Sequence, residues 1–509
     1  IQDSAFPYHD WNERIMAECY APNAASRNLD QHGRIVGIVS NYARISFNFG
    51  PTLLSWMEQN SPEVYQAILE ADRQSMVWRS GHGAALAQVY NHIIMPLASE
   101  RDKRTQVQWG IRDFVHRFSR FPEGIWLAET AVDTETLEIL AEAGIGFTVL
   151  APHQAAAVRR IGGSRWTDVS GSRIDPSRAY RCMLPSGRSI ALFFYDGPIS
   201  QAVAFEKLLD SGEHFAGRLM SGFSSSRRWS QLVHIATDGE TYGHHHPFGD
   251  MALGHALSHI EHNGLARLTN YGEFLALHPP THEVRIVENS SWSCLHGIER
   301  WRNDCGCNSG GHPGWNQSWR RPLWESLDRL AGQLAQCFQD TGSRYLHDPW
   351  QARDDYITVM LDRSDTAVDG FLQRHALQPL QEEETEVVLC LLEMQRHALL
   401  MYTSCGWFFD ELSGIETVQI LQYAARAMQL ARRYCTPQLE QSFLQHLAQA
   451  ESNISEFGNG AELFEKRVSP SMVNLVKVGA HYAVSSIFDA CTDQATIFSY
   501  RADLEDFQT

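Results

Sequence analysis

Between residues 34 and 244, short apolar runs alternate with stretches whose apolar residues recur at helical intervals, a rhythm that predicts parallel strands joined by helices. Strands are expected over residues 45–49, 124–129, 147–150, 190–195 and 232–236. Between them, residues 134–143 gather Leu137, Ile139, Leu140 and Ala143 and end at Gly144, the pattern of an amphipathic helix closed by glycine. Residues 161–188 interrupt the rhythm, and the turn signal Pro185-Ser-Gly187 lets residues 180–184 and 189–195 pair as a hairpin, so about 161–195 reads as an excursion at a barrel rim.

Residues 290–319 are loop-like, dense in glycine, and carry Trp292, Trp301, Trp315 and Trp319. So many large aromatics predict a folded lid near a cleft rather than a disordered linker. Beyond Arg321 the period becomes helical over residues 323–338, 387–401, 416–434 and 438–451. The acids Glu382 to Glu386 precede one of these runs and belong to a solvated first turn. The expected division is therefore an α/β barrel domain over 1–320, followed by a helical domain over 321–509 that closes one side of the cleft.

Two apolar runs end in a carboxylate, Gly124-Ile-Trp-Leu-Ala-Glu129 and Gln231-Leu-Val-His-Ile-Ala-Thr-Asp238. A buried strand that delivers an acid where the backbone leaves the sheet is how α/β barrels present catalytic groups. Each acid alone reads better as the cap of a following helix than as a catalytic group. Together they suit glycosidic-bond chemistry, in which one carboxyl protonates the leaving oxygen while the other attacks or stabilises the anomeric carbon. Glu240 competes with Asp238, because residues two apart at a strand end face the same way. Glu123 precedes its apolar run and belongs at the far end of the strand, whereas Asp196 ends the run from Ala191 as a third acid on the same face, a candidate for substrate binding.

The segment Gly124 to Glu129-Thr-Ala resembles the nucleophile motif of glycoside hydrolase family 57, and Thr237-Asp238-Gly-Glu-Thr-Tyr-Gly-His-His resembles its acid/base motif. The resemblance implies Glu129 as nucleophile and Asp238 as proton donor, and it decides between Asp238 and Glu240. Tyr90-Asn-His92-Ile-Ile-Met-Pro96 is similar to the region that carries a substrate-binding histidine, and Thr403-Ser-Cys-Gly-Trp407-Phe-Phe-Asp410 to the one that carries an aromatic from the helical domain. It further implies an incomplete (β/α)7 barrel followed by an α-helical domain, and a retaining hydrolase or transferase acting on α-glucan. The first motif of the family, a His-Gln-Pro, is not found near the start, where the chain runs from Ile1 to Phe6-Pro-Tyr-His-Asp-Trp-Asn12. It lies upstream or is lost in this branch, and His153-Gln154 stands in the wrong place to substitute for it.

Expected substrate contacts are His92, Trp126, Asp196, His244, Trp292, His296 and Trp407. His82, near His92, reads as structural. His244, His245 and His246 could instead hold a metal, as in a metal-dependent carbohydrate deacetylase or mannosidase-like enzyme, but three consecutive histidines do not readily face one ion. Hydrogen bonding to sugar hydroxyls by His244 is the preferred reading, with no metal and no cofactor. A non-catalytic carbohydrate-binding barrel is the remaining alternative.

Net charge of −18 and a pI near 5.7 argue against nucleic acid, which requires clustered Lys and Arg, and fit a neutral polysaccharide or oligosaccharide partner. No apolar run approaches the ~20 residues of a membrane span. The ten cysteines are scattered and no signal peptide is visible ahead of them, so they read as reduced and the chain as cytoplasmic. Cys305-Gly-Cys307, with only Cys294 and His296 or His312 near, reads as a pair of structural loop cysteines in preference to zinc ligands.

Overall fold

In the computed structural model, which describes residues 2–30, 32–488, 494–497 and 500–503, parallel pairing passes through an arc of short segments. Phe47 bridges Ala85, Ala87–Gln88 pairs with Ile125–Trp126, Gly124 bridges Phe147, and Phe147–Leu150 runs parallel to Ser189–Phe194. The arc continues where the Asp196 amide donates to the His234 carbonyl at 2.9 Å. Every residue of Phe147–Leu150 is buried, as are five of six in Ser189–Phe194, which is why these strands read as continuous apolar runs rather than alternating ones. A Cβ on Gly124 would come 2.3 Å from the Phe147 ring, so the close approach of these two strands requires glycine. Among the described residues no pairing joins the 45–49 segment to the 232–236 segment. The barrel is therefore incomplete.

Two expected strands are weaker than their hydrophobicity suggests. Residues 45–49 contribute a single bridge, and 232–236 lie extended but outside any ladder, tied instead through Leu232 N to Ser177 O and Ala236 N to Ser200 Oγ. The expected helix is Thr134–Glu142, capped by the Asp133 carboxylate at Thr136 N and followed by Gly144 at φ +86°. The rim hairpin pairs Tyr180 with Leu192 through to Met183 with Ser189. Sequence reading missed its partners His282–Ile286 and Ala155–Arg160, which together with the short strand Thr167–Asp168 extend the sheet to six strands. Their apolar content is diluted by charge, and the charges pair with each other: Arg159 and Arg181 both reach Glu283 at 2.6 Å.

An N-terminal segment that sequence reading left without structure carries an antiparallel hairpin, Ser26–Leu29 with Ile35–Val39, packed against Gly249–His262. The C-terminal half is helical as expected, with Arg320–Gly342, Glu382–Leu400, Ile415–Ala431 and Leu439–Leu447 packed together. The short helices Pro349–Asp355, Ile357–Leu361 and Asp365–His375 were not expected. One expectation about the cysteines is overturned, since Cys337 and Cys435 form a disulfide, with Cα atoms 5.6 Å apart although 98 residues separate them in sequence. Helix packing makes that contact, and linear spacing carries no trace of it. Cys491 lies outside the described residues. Between Ile93 to Leu97 and the helices lies a cavity of about 760 Å³, lined by Trp301, Trp324, Tyr402 and Trp407 among others. Among the described residues no helix is long and apolar enough to cross a membrane.

Candidate active site

Glu129 ends its strand in a left-handed turn: Glu129 and Thr130 have φ of +56° and +50°. Consecutive non-glycine residues there cost roughly 1–3 kcal/mol each and persist only where surroundings over-determine them. The buried Gln154 amide does so. Its Oε1 accepts from Thr130 Oγ1 and Ala151 N at 2.8 Å, and its Nε2 donates to Thr130 O at 2.8 Å and Ser290 O at 3.0 Å. Ser290 also exchanges backbone hydrogen bonds with Val132, and Trp292 N donates to Glu129 O at 2.9 Å. On the side chain, Trp292 Nε1 donates to Glu129 Oε2 at 2.9 Å, and Ser293 Oγ donates to the same oxygen. Oε1 is left without a hydrogen bond among the described residues. The Trp126 and Trp292 rings meet edge to face at 5.2 Å, and Trp292 meets Tyr195 at 6.2 Å.

Asp238 sits just before the turn Gly239–Tyr242 and is open to solvent, while protein walls it in on the remaining sides. That crowding, then the charges of Glu240 and Glu129, push its pKa up to about 6. Neither of its carboxylate oxygens takes a hydrogen bond among the described residues. Its turn is held from the N-terminal segment: Asn23 Nδ2 donates to Tyr242 O at 2.8 Å, and Tyr20 OH donates to Glu240. A Cβ at Gly243 would stand 2.2 Å from Glu18 O, so this backbone contact needs glycine. Glu240, the rival acid, is thereby bound to Tyr20.

Tyr195 lies within electrostatic reach of both acids. Burial first, then Glu129 and Asp238, hold its phenol well above the ordinary value. His92 joins them, held at φ +53° with Nδ1 paired to Ser404 Oγ at 2.8 Å. Burial lowers its pKa, against the opposite pull of Glu129 and Glu240. Cys405, although open to solvent, is crowded by protein on its other sides, and that crowding and then the Glu129 charge raise its thiol to about 11.

Four expected contacts stand elsewhere. Asp196 caps the helix Gly197–Phe205, accepting from Ile199 N at 3.0 Å; the strand end turns its carboxyl to the helix and leaves Tyr195 facing the acids. His244 pairs with Glu18 and packs edge-on to Trp11 at 5.9 Å, so it ties the N-terminal segment to this turn. His296 lies 3.6 Å from Cys307 Sγ, in a cluster with Cys294 and Cys305. Trp407 is 1% exposed and packs on Trp324 at 5.6 Å, facing the helical cavity. A platform for sugar must be open, and Trp407 is not. Glu123 is at the far end of its strand as expected, paired with His82 at 2.6 Å.

The Trp-rich loop is a packed strap. Trp292 reaches the site, while Trp301 and Trp319 are fully buried and donate to Ser404 O and Asp410 O. Sequence reading missed Tyr195, Ser293, Gln154 and Cys405. Tyr195 and Cys405 each adjoin or sit within a segment already singled out, so alternation along the strand and turn was the available signal.

Comparison with known proteins bears on this site. Residues 10–287 match the family model described as glycosyl hydrolase family 57, and residues 315–509 match one described as a domain of unknown function, DUF3536. Alpha-amylase 1 of Dictyoglomus thermophilum is 26% identical over 200 residues, 39% of this chain and 26% of that protein. The 4-alpha-glucanotransferase of Thermococcus litoralis is 24% identical over 107 residues, 21% of this chain and 15% of that protein. The matches thus span about a quarter or less of those relatives. An exo-type maltose-forming amylase from Pyrococcus sp. ST04 superposes with a TM-score of 0.67 at 15% identity, covering 94% of this chain and 86% of that one. This likeness shows a shared fold.

Proposed function

Because this chain belongs to glycosyl hydrolase family 57, we propose that it cleaves or transfers α-linked glucan with retention, Glu129 acting as nucleophile and Asp238 as acid and base. The single observation that carries the reading is the asymmetry of the pair. One carboxylate is fixed by two donors, and the other is unbonded with its pKa raised to about 6. An unbonded acid with a raised pKa, within electrostatic reach of a carboxylate held by two donors, supports Asp238 as the proton donor and Glu129 as the nucleophile.

In the first step Glu129 Oε1 attacks the anomeric carbon as the glycosidic bond breaks, and the Asp238 proton passes to the departing oxygen. The product is a glycosyl ester on Glu129. Esterification removes the Glu129 charge that helps raise Asp238, so Asp238 becomes the stronger acid and remains ionised as a base. It then takes the proton from water, or from a sugar hydroxyl, as that oxygen attacks and the ester breaks. Which acceptor arrives decides between hydrolysis and transfer. Trp126, Trp292 and Tyr195 form the aromatic wall beside Glu129, and His92, neutral by burial, offers a hydrogen bond to a sugar hydroxyl.

The names of the relatives, alpha-amylase and 4-alpha-glucanotransferase, favour an α-glucan. The division we adopt is a catalytic barrel over 1–320 and a helical domain over 321–509 whose Ser404 and Cys405 complete the cleft wall. The test is proton NMR of the anomeric signals during turnover of maltoheptaose. New reducing ends should appear first as the α-anomer. Appearance of the β-anomer first, or release of acetate from acetylated sugar with no glucan cleavage, would overturn the proposal.

A further inference from the structure

Four side chains outside the catalytic pair converge in the strap: Cys294, His296, Cys305 and Cys307, whose potential ligand atoms all lie within 4.8 Å of one another. Cys294 Sγ stands 3.9 Å from Cys305 Sγ and 3.8 Å from Cys307 Sγ, and Cys307 Sγ stands 3.6 Å from His296 Nδ1. Zinc bonded at ~2.3 Å to sulfur and ~2.0–2.1 Å to nitrogen in a tetrahedron sets ligand edges of about 3.8 Å for S to S and about 3.6 Å for S to N. The separations match both edges. A disulfide needs ~2.05 Å, and none joins these three cysteines.

We propose that this chain binds one structural zinc ion through Cys294, His296, Cys305 and Cys307. Three thiolates and one neutral imidazole leave a zinc centre with one net negative charge, which lies half in protein, with Cys294 buried, Cys305 and Cys307 half-buried and His296 exposed, and calls for a cation on its inner side. One buried guanidinium group touches the cluster, and the backbone of a second buried arginine, Arg300, reaches Cys294. Arg320, 0% exposed, donates Nη1 to the Cys307 carbonyl at 2.9 Å, and Arg300 is also buried; the Nε atoms of both are buried without a hydrogen-bond partner. No open coordination position remains once four protein ligands are engaged, so the centre is structural rather than hydrolytic. Its position links it to the active site, because Cys294 directly follows Trp292 and Ser293, the two donors to Glu129. The ion clamps the strap at the point where it touches the candidate nucleophile.

This inference stands apart from the catalytic reading, and its test measures no activity. Full-length protein without a histidine tag, purified from zinc-supplemented cells, is analysed by mass spectrometry for metals and by X-ray absorption at the zinc edge. About one zinc per chain is expected, with three sulfur ligands near ~2.3 Å and one nitrogen near ~2.0–2.1 Å. Cys307→Ser should lose at least about nine-tenths of the metal, and Cys390→Ser should keep it. Metal-free wild-type protein, iron or copper in place of zinc, a shell of nitrogen and oxygen alone, or a disulfide among the three cysteines would each overturn the proposal. The absorption spectrum of the wild type decides even if Cys307→Ser fails to fold.

Discussion

The turns at Glu129 and Asp238 both follow apolar extended segments, yet they are built in opposite ways. The Glu129 turn is strained and pinned: two residues at positive φ, a buried amide with all its valences used, and two side-chain donors on one carboxylate oxygen. The Asp238 turn leaves its carboxyl unbonded and surrounds it with bulk and with the negative Glu240. Fixing an atom suits a nucleophile, whose attack depends on a defined trajectory. Withholding hydrogen bonds suits an acid that must keep and then release a proton near neutral pH. On the proposed assignment, the surroundings of two chemically similar groups separate their roles.

The largest effect that could break this contrast comes from removing each carboxyl in turn. Asp238→Asn should slow cleavage of glucan by about 10²–10⁴-fold, and most of the loss should return with a glycosyl fluoride, whose leaving group needs no proton. Glu129→Gln should lose more and recover nothing with that substrate. Equal recovery by both variants, measured as kcat/KM on the two substrates, would erase the distinction. Next, Trp292→Phe removes one hydrogen bond to a charged acceptor, worth about 1.5–3 kcal/mol, and should lower kcat by about 10–100-fold. The same variant should leave the alkaline limb of the pH profile in place.

That limb sharpens the other side of the comparison. Asp238 must be protonated to act as donor, so kcat/KM should fall as pH rises through about 6. Glu240→Gln removes a charge that raises the pKa of Asp238, so the limb should move to lower pH. The stability sign follows from the same shift. A folded-state pKa above the unfolded value means that the folded protein loses stability as pH rises from about 4 to 6. Thermal melts should therefore show Asp238→Asn gaining on wild type across that window. An unmoved limb in Glu240→Gln would count against the electrostatic account.

How far the sequence carried this picture depends on whether a signal is local. The strand ends bearing Glu129 and Asp238 are legible because a buried strand must be apolar throughout and the acid marks where it leaves the sheet. The helices after Arg321 are legible from their period. Asp196 reads the same way and is a cap, because strand alternation hands the site to Tyr195 one residue earlier. The Cys337–Cys435 disulfide is a product of long-range packing that spacing does not encode, whereas Cys294, His296, Cys305 and Cys307 all lie within residues 294–307 and only their convergence requires three dimensions to be seen. Gln154 was noticed for resembling half of a motif, and its role behind the strained turn emerges only in three dimensions.

Trp407 gives the smallest expected effect on turnover. Since it is 1% exposed and packs on Trp324, Trp407→Ala should cost about 3–5 kcal/mol of stability as a large buried truncation. Its KM for soluble maltooligosaccharides should stay within about twofold. A large rise in KM at unchanged melting temperature would return Trp407 to the cleft.

The most direct test is to trap the covalent intermediate in Asp238→Asn with a glucosyl fluoride, since the first step then needs no acid and the second lacks its base. Peptide mass spectrometry should find one hexosyl unit on the peptide carrying Glu129, and within it on Glu129 itself. A hexosyl unit on any other residue, or full turnover of the fluoride with no adduct and inverted product, would contradict the assignment of Glu129 and Asp238.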